Sequence, residues 1–110
     1  MEIKRMSNES MGKKEIWKLT NSRGAAGLKE AVGTVITVSD WVNYLDDDGE
    51  NTSEVLSLLT PEGEVLATTS KTFIESFIKA WDFFEGKEKN FRVLSKVSKN
   101  NREYLDCDVE

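Results

Sequence analysis

Val35-Ile36-Thr37-Val38-Ser39-Asp40-Trp41-Val42-Asn43-Tyr44-Leu45 is the stretch on which the fold turns. Ile36, Val38, Val42 and Tyr44 share one parity; Thr37, Ser39, Trp41 and Asn43 share the other. Successive side chains of a strand point to opposite faces, so the pattern predicts one continuous strand with an apolar and a polar side. The tryptophan falls on the polar side. Trp41 therefore either covers a neighbouring element or waits for a flat ligand, whereas Tyr44 is expected in the core.

Downstream, Asp46-Asp47-Asp48-Gly49-Glu50-Asn51 has loop composition. It does not fit a calcium-binding EF-hand, because Gly49 as the sixth loop position puts the first at Tyr44, where an aspartate is required. A second strand is expected from about Glu54 to Thr60 and a third from Glu64 to Thr69. Between them Thr60-Pro61-Glu62-Gly63 makes the turn: Pro61 presets its φ, and Gly63 supplies a positive φ. A helix follows, capped by Thr72 with Glu75 completing a capping box. Phe73, Ile74, Phe77, Ile78, Trp81 and Phe84 recur at helical spacing and are expected in the core, and Gly86 ends the helix. Phe91–Val97 and Arg102–Val109 then alternate as a closing hairpin turned by Ser98-Lys99-Asn100-Asn101.

Upstream, residues 1–13 are polar and aperiodic and read as a flexible N-terminal arm. Glu15–Leu19 alternates as a short edge strand, and Gly24–Val32 reads as a short helix ended by Gly33. Three antiparallel strands, one helix and a closing hairpin stand in the order of the OB-fold. The expected architecture is mainly β. It is a five-stranded OB-fold barrel with one capping helix between strands 3 and 4 and an N-terminal extension over residues 14–32, so that 14–110 forms a single domain.

The chain of 110 residues is 38% hydrophobic and 32% charged, which is the composition of a globular protein and not of a disordered one. No apolar run is long enough to span a membrane, and the N-terminus has no signal-peptide core. A single cysteine, Cys107, has no internal disulfide partner, which suits a reducing cytoplasm. There is no histidine, so the commonest general base and transition-metal ligand are both missing. No phosphate-binding glycine loop and no framed carboxylate pair are visible, and neither a catalytic site nor a metal nor a cofactor is expected. Cys107 alternates with Leu105 and Val109 and reads as a buried structural thiol.

The net charge of −5 is unevenly spread. Residues 1–30 hold seven bases and four acids; residues 31–70 hold eight acids and no base. Residues 71–102 hold eight bases and four acids, and residues 103–110 four acids alone. Segregation of this kind can leave a basic surface on an acidic protein. On the closing hairpin Arg92, Lys96, Arg102 and Tyr104 share the outward parity, with Lys99 in the turn. Cations beside aromatics suit a single-stranded nucleic acid, because cations neutralise phosphates and each stacked base contributes on the order of 1–3 kcal/mol. The alternative is that Arg92, Lys96 and Arg102 pair across the strands with Glu103 and Asp106. Asp106, Asp108 and Glu110 form either an acidic tail or the exposed side of the last strand.

Thr20-Asn21-Ser22-Arg23-Gly24-Ala25-Ala26-Gly27-Leu28 and Gly33-Thr34-Val35-Ile36-Thr37-Val38, with Ser70-Lys71-Thr72-Phe73-Ile74 and Val97-Ser98-Lys99, give the chain a family likeness. From about Trp17 onward it resembles the small single-stranded DNA-binding proteins of bacteriophages that infect Gram-positive hosts. The resemblance implies an OB-fold and a role in phage DNA replication or recombination, with little sequence preference, in the host cytoplasm. On this reading Trp41 and Tyr104 stack on bases, while Arg92, Lys96, Lys99, Arg102, Lys71 and Arg23 meet phosphates. The partner is single-stranded DNA, with replication or recombination proteins recruited through an acidic C-terminal tail; monomer and homo-oligomer both stay open. Two rival classes remain: an acidic phage regulator or DNA mimic that blocks a host protein, and an assembly protein with Trp41 in a subunit interface.

Overall fold

Eleven short elements make up the chain in a computed structural model that describes residues 1–21, 26–47 and 49–110. They run β1 (Glu2–Met6), α1 (Lys13–Asn21), β2 (Ala26–Gly27), a 3-10 turn (Leu28–Ala31), β3 (Val35–Thr37) and β4 (Asp40–Asp47). Then come β5 (Thr52–Leu59), β6 (Val65–Thr68), α2 (Lys71–Phe83), β7 (Asn90–Val97) and β8 (Glu103–Val109). The strands form two sheets, one in the order β1-β4-β5-β6-β2 and one in the order β3-β7-β8.

The expected OB-fold barrel is thus overturned. The two sheets are separate, neither closes on itself, and α2 joins the sixth strand to the seventh, not the third to the fourth. No helix among the described residues is long and apolar enough to cross a membrane.

The reason lies in the opening stretch. Residues 35–45 are not one strand: β3 ends at Thr37, the chain bends at Val38–Ser39, and β4 starts at Asp40 in the other sheet. The bend is anchored by Val38 N donating to Lys89 O at 2.8 Å and Ser39 N to Leu59 O at 2.8 Å. It also reverses the alternation. Ile36 and Val38 face the main core before it, and Trp41, of the opposite parity, faces the same core after it.

That core gathers Trp41, Leu56, Leu58 and Leu66 from the larger sheet, Ile36, Phe91 and Val93 from the smaller one, and Phe73, Ile74, Phe77 and Trp81 from α2. The opposite face of the larger sheet is buried as well. Val42, Tyr44 and Val65 there pack with Met11 and Leu19, and Ile3, Met6 and Ile16 lie at the margin. Both parities of β4 are consequently buried, Trp41 and Val42 to 0% exposure. Trp41 lies beneath Phe77 and Trp81 of α2, in the cluster that also takes in Leu28; Val42 and Tyr44 occupy the cluster that includes Leu19 of α1.

The N-terminal half departs furthest from the pattern. Glu2–Met6 is no loose arm but pairs antiparallel with β4, with Ile3 opposite Tyr44 and Met6 opposite Val42. Glu15–Leu19 belongs to α1, where Ile16 and Leu19, three residues apart, turn inward and Trp17 is left 68% exposed. The helix expected over Gly24–Val32 falls partly outside the described residues. Its described portion holds β2, two residues parallel to β6, and then the 3-10 turn in place of an α-helix.

The second half follows its pattern closely. Phe73, Ile74, Phe77 and Trp81 are buried as their spacing requires. The helix starts earlier than expected: Ser70, not Thr72, caps it, its Oγ accepting from Phe73 N at 3.4 Å. Phe84 is not core, because α2 has already ended at Phe83; it stays 38% exposed and meets Phe83 edge to face. The turns at Gly63 and Gly86 carry the positive φ, 87° and 74°, that glycine tolerates. The last strand runs to Val109, so Asp106 and Asp108 belong to β8, and Glu110 follows it with its N–H donating to Asn90 O at 3.2 Å.

Candidate nucleic-acid interface

The outer face of the closing hairpin is built by register. Arg92 pairs with Asp108, Leu94 with Asp106 and Lys96 with Tyr104, which places Arg92, Lys96 and Tyr104 on one side together with two carboxylates. Arg92 is engaged by Glu110 through Nε at 3.1 Å and Nη2 at 3.0 Å, and its Nη1 donates to Gly33 O at 3.3 Å. The hydrogen bonds and charge of Glu110 hold the Arg92 pKa above its ordinary value. Lys96 Nζ lies 2.7 Å from Asp106 Oδ2, and Asp106 also accepts from Ser76 Oγ at 2.6 Å and from Cys107 N at 2.8 Å. Burial raises the Asp106 pKa, but the bonds from Lys96 and Ser76 outweigh it and the net shift is downward. Arg92 and Lys96 are thus paired with carboxylates, as in the cross-strand alternative, but with Glu110 and Asp106 as the partners, and with Asp108 the acids of this face outnumber its two cations. Pairs screened by solvent are weak, so phosphates can compete for their cations.

The remaining expected contacts separate. Trp41 is fully buried and offers no face to a ligand, because the bend at Val38–Ser39 turns it inward. Arg23 lies outside the described residues. Lys99 and Arg102 stand exposed at the hairpin turn, and Lys71 is exposed on the first turn of α2; none of the three forms an ion pair among the described residues. Tyr104 is half-buried.

Tyr104 borders a groove of about 420 Å³ where the two sheets approach each other. Lys29 lines it from the 3-10 turn, Thr68, Thr69 and Ser70 from the end of β6, and Glu103 beside Tyr104 from β8. Leu28 anchors the turn by full burial, which leaves the next residue, Lys29, on the surface. Thr68 Oγ1 accepts from Ser70 N at 3.0 Å, and Ser70 Oγ donates to Leu105 O at 3.3 Å, so the hydroxyl-rich joint ties β6, α2 and β8 together. A shallower depression of about 300 Å³ shares Lys29, Thr68 and Thr69 and extends the groove along Gly27 and Ala67.

Lys29 and the Thr68-Thr69-Ser70 joint were not among the residues expected from sequence. The signal for the joint was its three consecutive hydroxyls between a strand and a helix; Lys29 carried none, because its neighbours show no period. The groove offers an ammonium, a phenol, three hydroxyls and one carboxylate, a set that binds by charge, stacking and hydrogen bonds. No family model, no curated protein and no solved structure matches the chain.

Proposed function

We propose that the chain binds single-stranded DNA without catalysis and with little sequence preference. The observation that carries the reading is the groove that sets Tyr104 beside Lys29, with exposed Lys71, Lys99 and Arg102 on the elements that flank it. A half-exposed phenol is a stacking surface for any base, and the cations supply the sequence-independent attraction to phosphates. The hydroxyls of Thr68 and Thr69 add donors for sugar and phosphate oxygens, whereas that of Ser70 is already given to Leu105 O. A place in phage DNA replication or recombination rests on the family resemblance of the segments that include Thr20–Leu28 and Ser70–Ile74.

Titration of a labelled oligo(dT) at low salt tests the proposal, with duplex DNA and oligo(rU) alongside. Oligo(dT) binds, affinity falls as salt rises, and Tyr104→Ala weakens it by about 1–3 kcal/mol. Lys99→Gln and Arg102→Gln each flatten the plot of log affinity against log salt by about 0.7. The reading fails if oligo(dT) does not bind, or if Tyr104→Ala binds as tightly as the parent chain. Preferred binding of oligo(rU) would reassign the ligand to RNA.

A second reading is favoured by one observation, the acidic end of the β4–β5 hairpin, where Asp46 and Asp47 are exposed. On it the chain is an acidic regulator or DNA mimic that occupies a basic site on a host protein. It predicts no oligonucleotide affinity and displacement of DNA from that host protein by the folded chain.

A further inference from the structure

We infer that a second cleft, on the far side of the α2 N-terminus, carries the DNA backbone onward from the Tyr104 groove. This inference rests on the single-strand reading above. The cleft has a volume of about 680 Å³ and opens between β1, the β4–β5 face and α2. Lys4, Arg5, Lys71 and Lys79 line it against only two carboxylates, Glu54 and Glu75. With Asp82, which holds Arg5, four cations stand against three acids, and on a chain whose net charge is −5 even this excess runs against the overall balance. A net cationic cleft attracts counter-charged ligands, so this is where a phosphate chain is drawn.

The cations are placed with order. Lys71, Glu75 and Lys79 recur every four residues and form a row along one side of α2, about 12 Å from end to end at the rise of an α-helix. Lys71 and Lys79 form no ion pair among the described residues. Across the cleft Lys4 is held by Glu54 at 2.8 Å, and Arg5 by a two-pronged pair with Asp82. Arg5 also lies 5.8 Å from the centroid of the buried Trp41 ring, which fixes it at the cleft wall. Buried Asn43, bonded through Nδ2 to Val55 O at 3.0 Å, contributes polar lining.

The two depressions meet at consecutive residues. Ser70 lines the Tyr104 groove, and Lys71 lines the cleft. A strand stacked on Tyr104 therefore passes over the first turn of α2 and descends along Lys71 and Lys79 towards β1. The Tyr104 groove holds a base, and the cleft holds backbone.

The test compares oligo(dT) of about 4 and about 16 nucleotides, the range of site sizes for one small single-strand-binding domain. In the full chain, Lys79→Gln weakens the long oligonucleotide several-fold, flattens its salt dependence by about 0.7, and leaves the short one unchanged. Lys79→Glu enlarges the loss, and unchanged thermal melting shows that both variants fold. The inference is overturned if Lys79 variants bind the long oligonucleotide like the parent, or lose both lengths equally, while Tyr104→Ala still weakens both. If the parent binds neither length at low salt, the single-strand reading itself fails and this inference goes with it.

Discussion

The indole of Trp41 meets that of Trp81 edge to face, with ring centroids 5.6 Å apart and planes at 87°. Phe77 presents its ring to Trp41 in the same manner at 5.6 Å and 90°. The strand β4 and the helix α2 are therefore joined through three aromatic rings, and Trp41 acts in stability and not in ligand contact. Trp41→Ala is expected to lower stability by about 3–5 kcal/mol in urea denaturation. Trp41→Phe costs much less, because the buried indole N–H has no partner among the described residues and its removal relieves a penalty of about 1–3 kcal/mol. A variant with Trp41 as its only tryptophan shows emission that does not move when oligo(dT) is added.

Ser70 and Thr72 separate two accounts of where α2 begins. Ser70 Oγ both caps Phe73 N and donates to Leu105 O, whereas the Thr72 side chain is exposed on the first turn. Ser70→Ala should cost about 1 kcal/mol or slightly more, and Thr72→Ala about 0.5 kcal/mol or less. Paired denaturant midpoints at constant slope check the difference.

Four carboxylates among the described residues are held below their ordinary pKa by cationic partners: Glu54, Asp82, Asp106 and Glu110. The hydrogen bond from Lys4 lowers the Glu54 pKa against the opposing effect of burial, and the bond from Arg5 does the same for Asp82. Asp106 ends below its ordinary value despite its burial. A carboxylate depressed in the folded state adds stability above its unfolded pKa and loses it as pH falls through the folded one. Melting temperature should accordingly hold through neutral pH and drop below about pH 4. Asp106→Asn removes a small part of that acid dependence, because solvent screens the exposed Lys96 end of the pair.

Cys107 has the opposite sign. Burial first, then the charges of Asp106 and Asp108, push its thiol up to about 12. Against an ordinary value of 9.0, its thiolate fraction in neutral solution is smaller by roughly a thousandfold. Disulfide-reagent labelling is expected to be slow in the folded chain and fast in denaturant. Because the folded pKa is raised, this group's contribution to stability is complete below about pH 9 and declines above it. Cys107→Ser should reduce that alkaline loss, read as melting temperature against pH.

How much was legible depended on whether an element is buried on one side or on two. The Phe73–Trp81 stripe of α2 was plain, because its polar residues show which side is wet. The Phe91–Val97 and Arg102–Val109 hairpin was plain for the same reason, and its outward set of Arg92, Lys96 and Tyr104 is the set that the register produces. β4 was misleading: it is covered on both sides, so Trp41 and Val42 are equally buried and parity carries no information on direction. The bend at Val38–Ser39 has no glycine or proline to mark it; its one trace in the sequence is Asp40, a charge on the otherwise apolar parity. Five residues, Glu15–Leu19, fit either period, and only α1 as a whole settles that Ile16 and Leu19 share a face. Of the residues proposed to bind, Tyr104 was readable from the hairpin. The groove around it was not, since Lys29 and Ser70 reach it from segments distant in sequence.

The pairing of Ile36 with Phe91 joins the first and last thirds of the chain. The smaller sheet thus cannot form during synthesis until the closing hairpin has left the ribosome, and until then Trp41, Phe73 and Phe77 lack one wall of their core. Long-range pairing of this kind slows folding and lengthens the interval in which apolar surface is open to other chains. For this protein, β7 and β8 set the moment at which the core of a nascent chain can close.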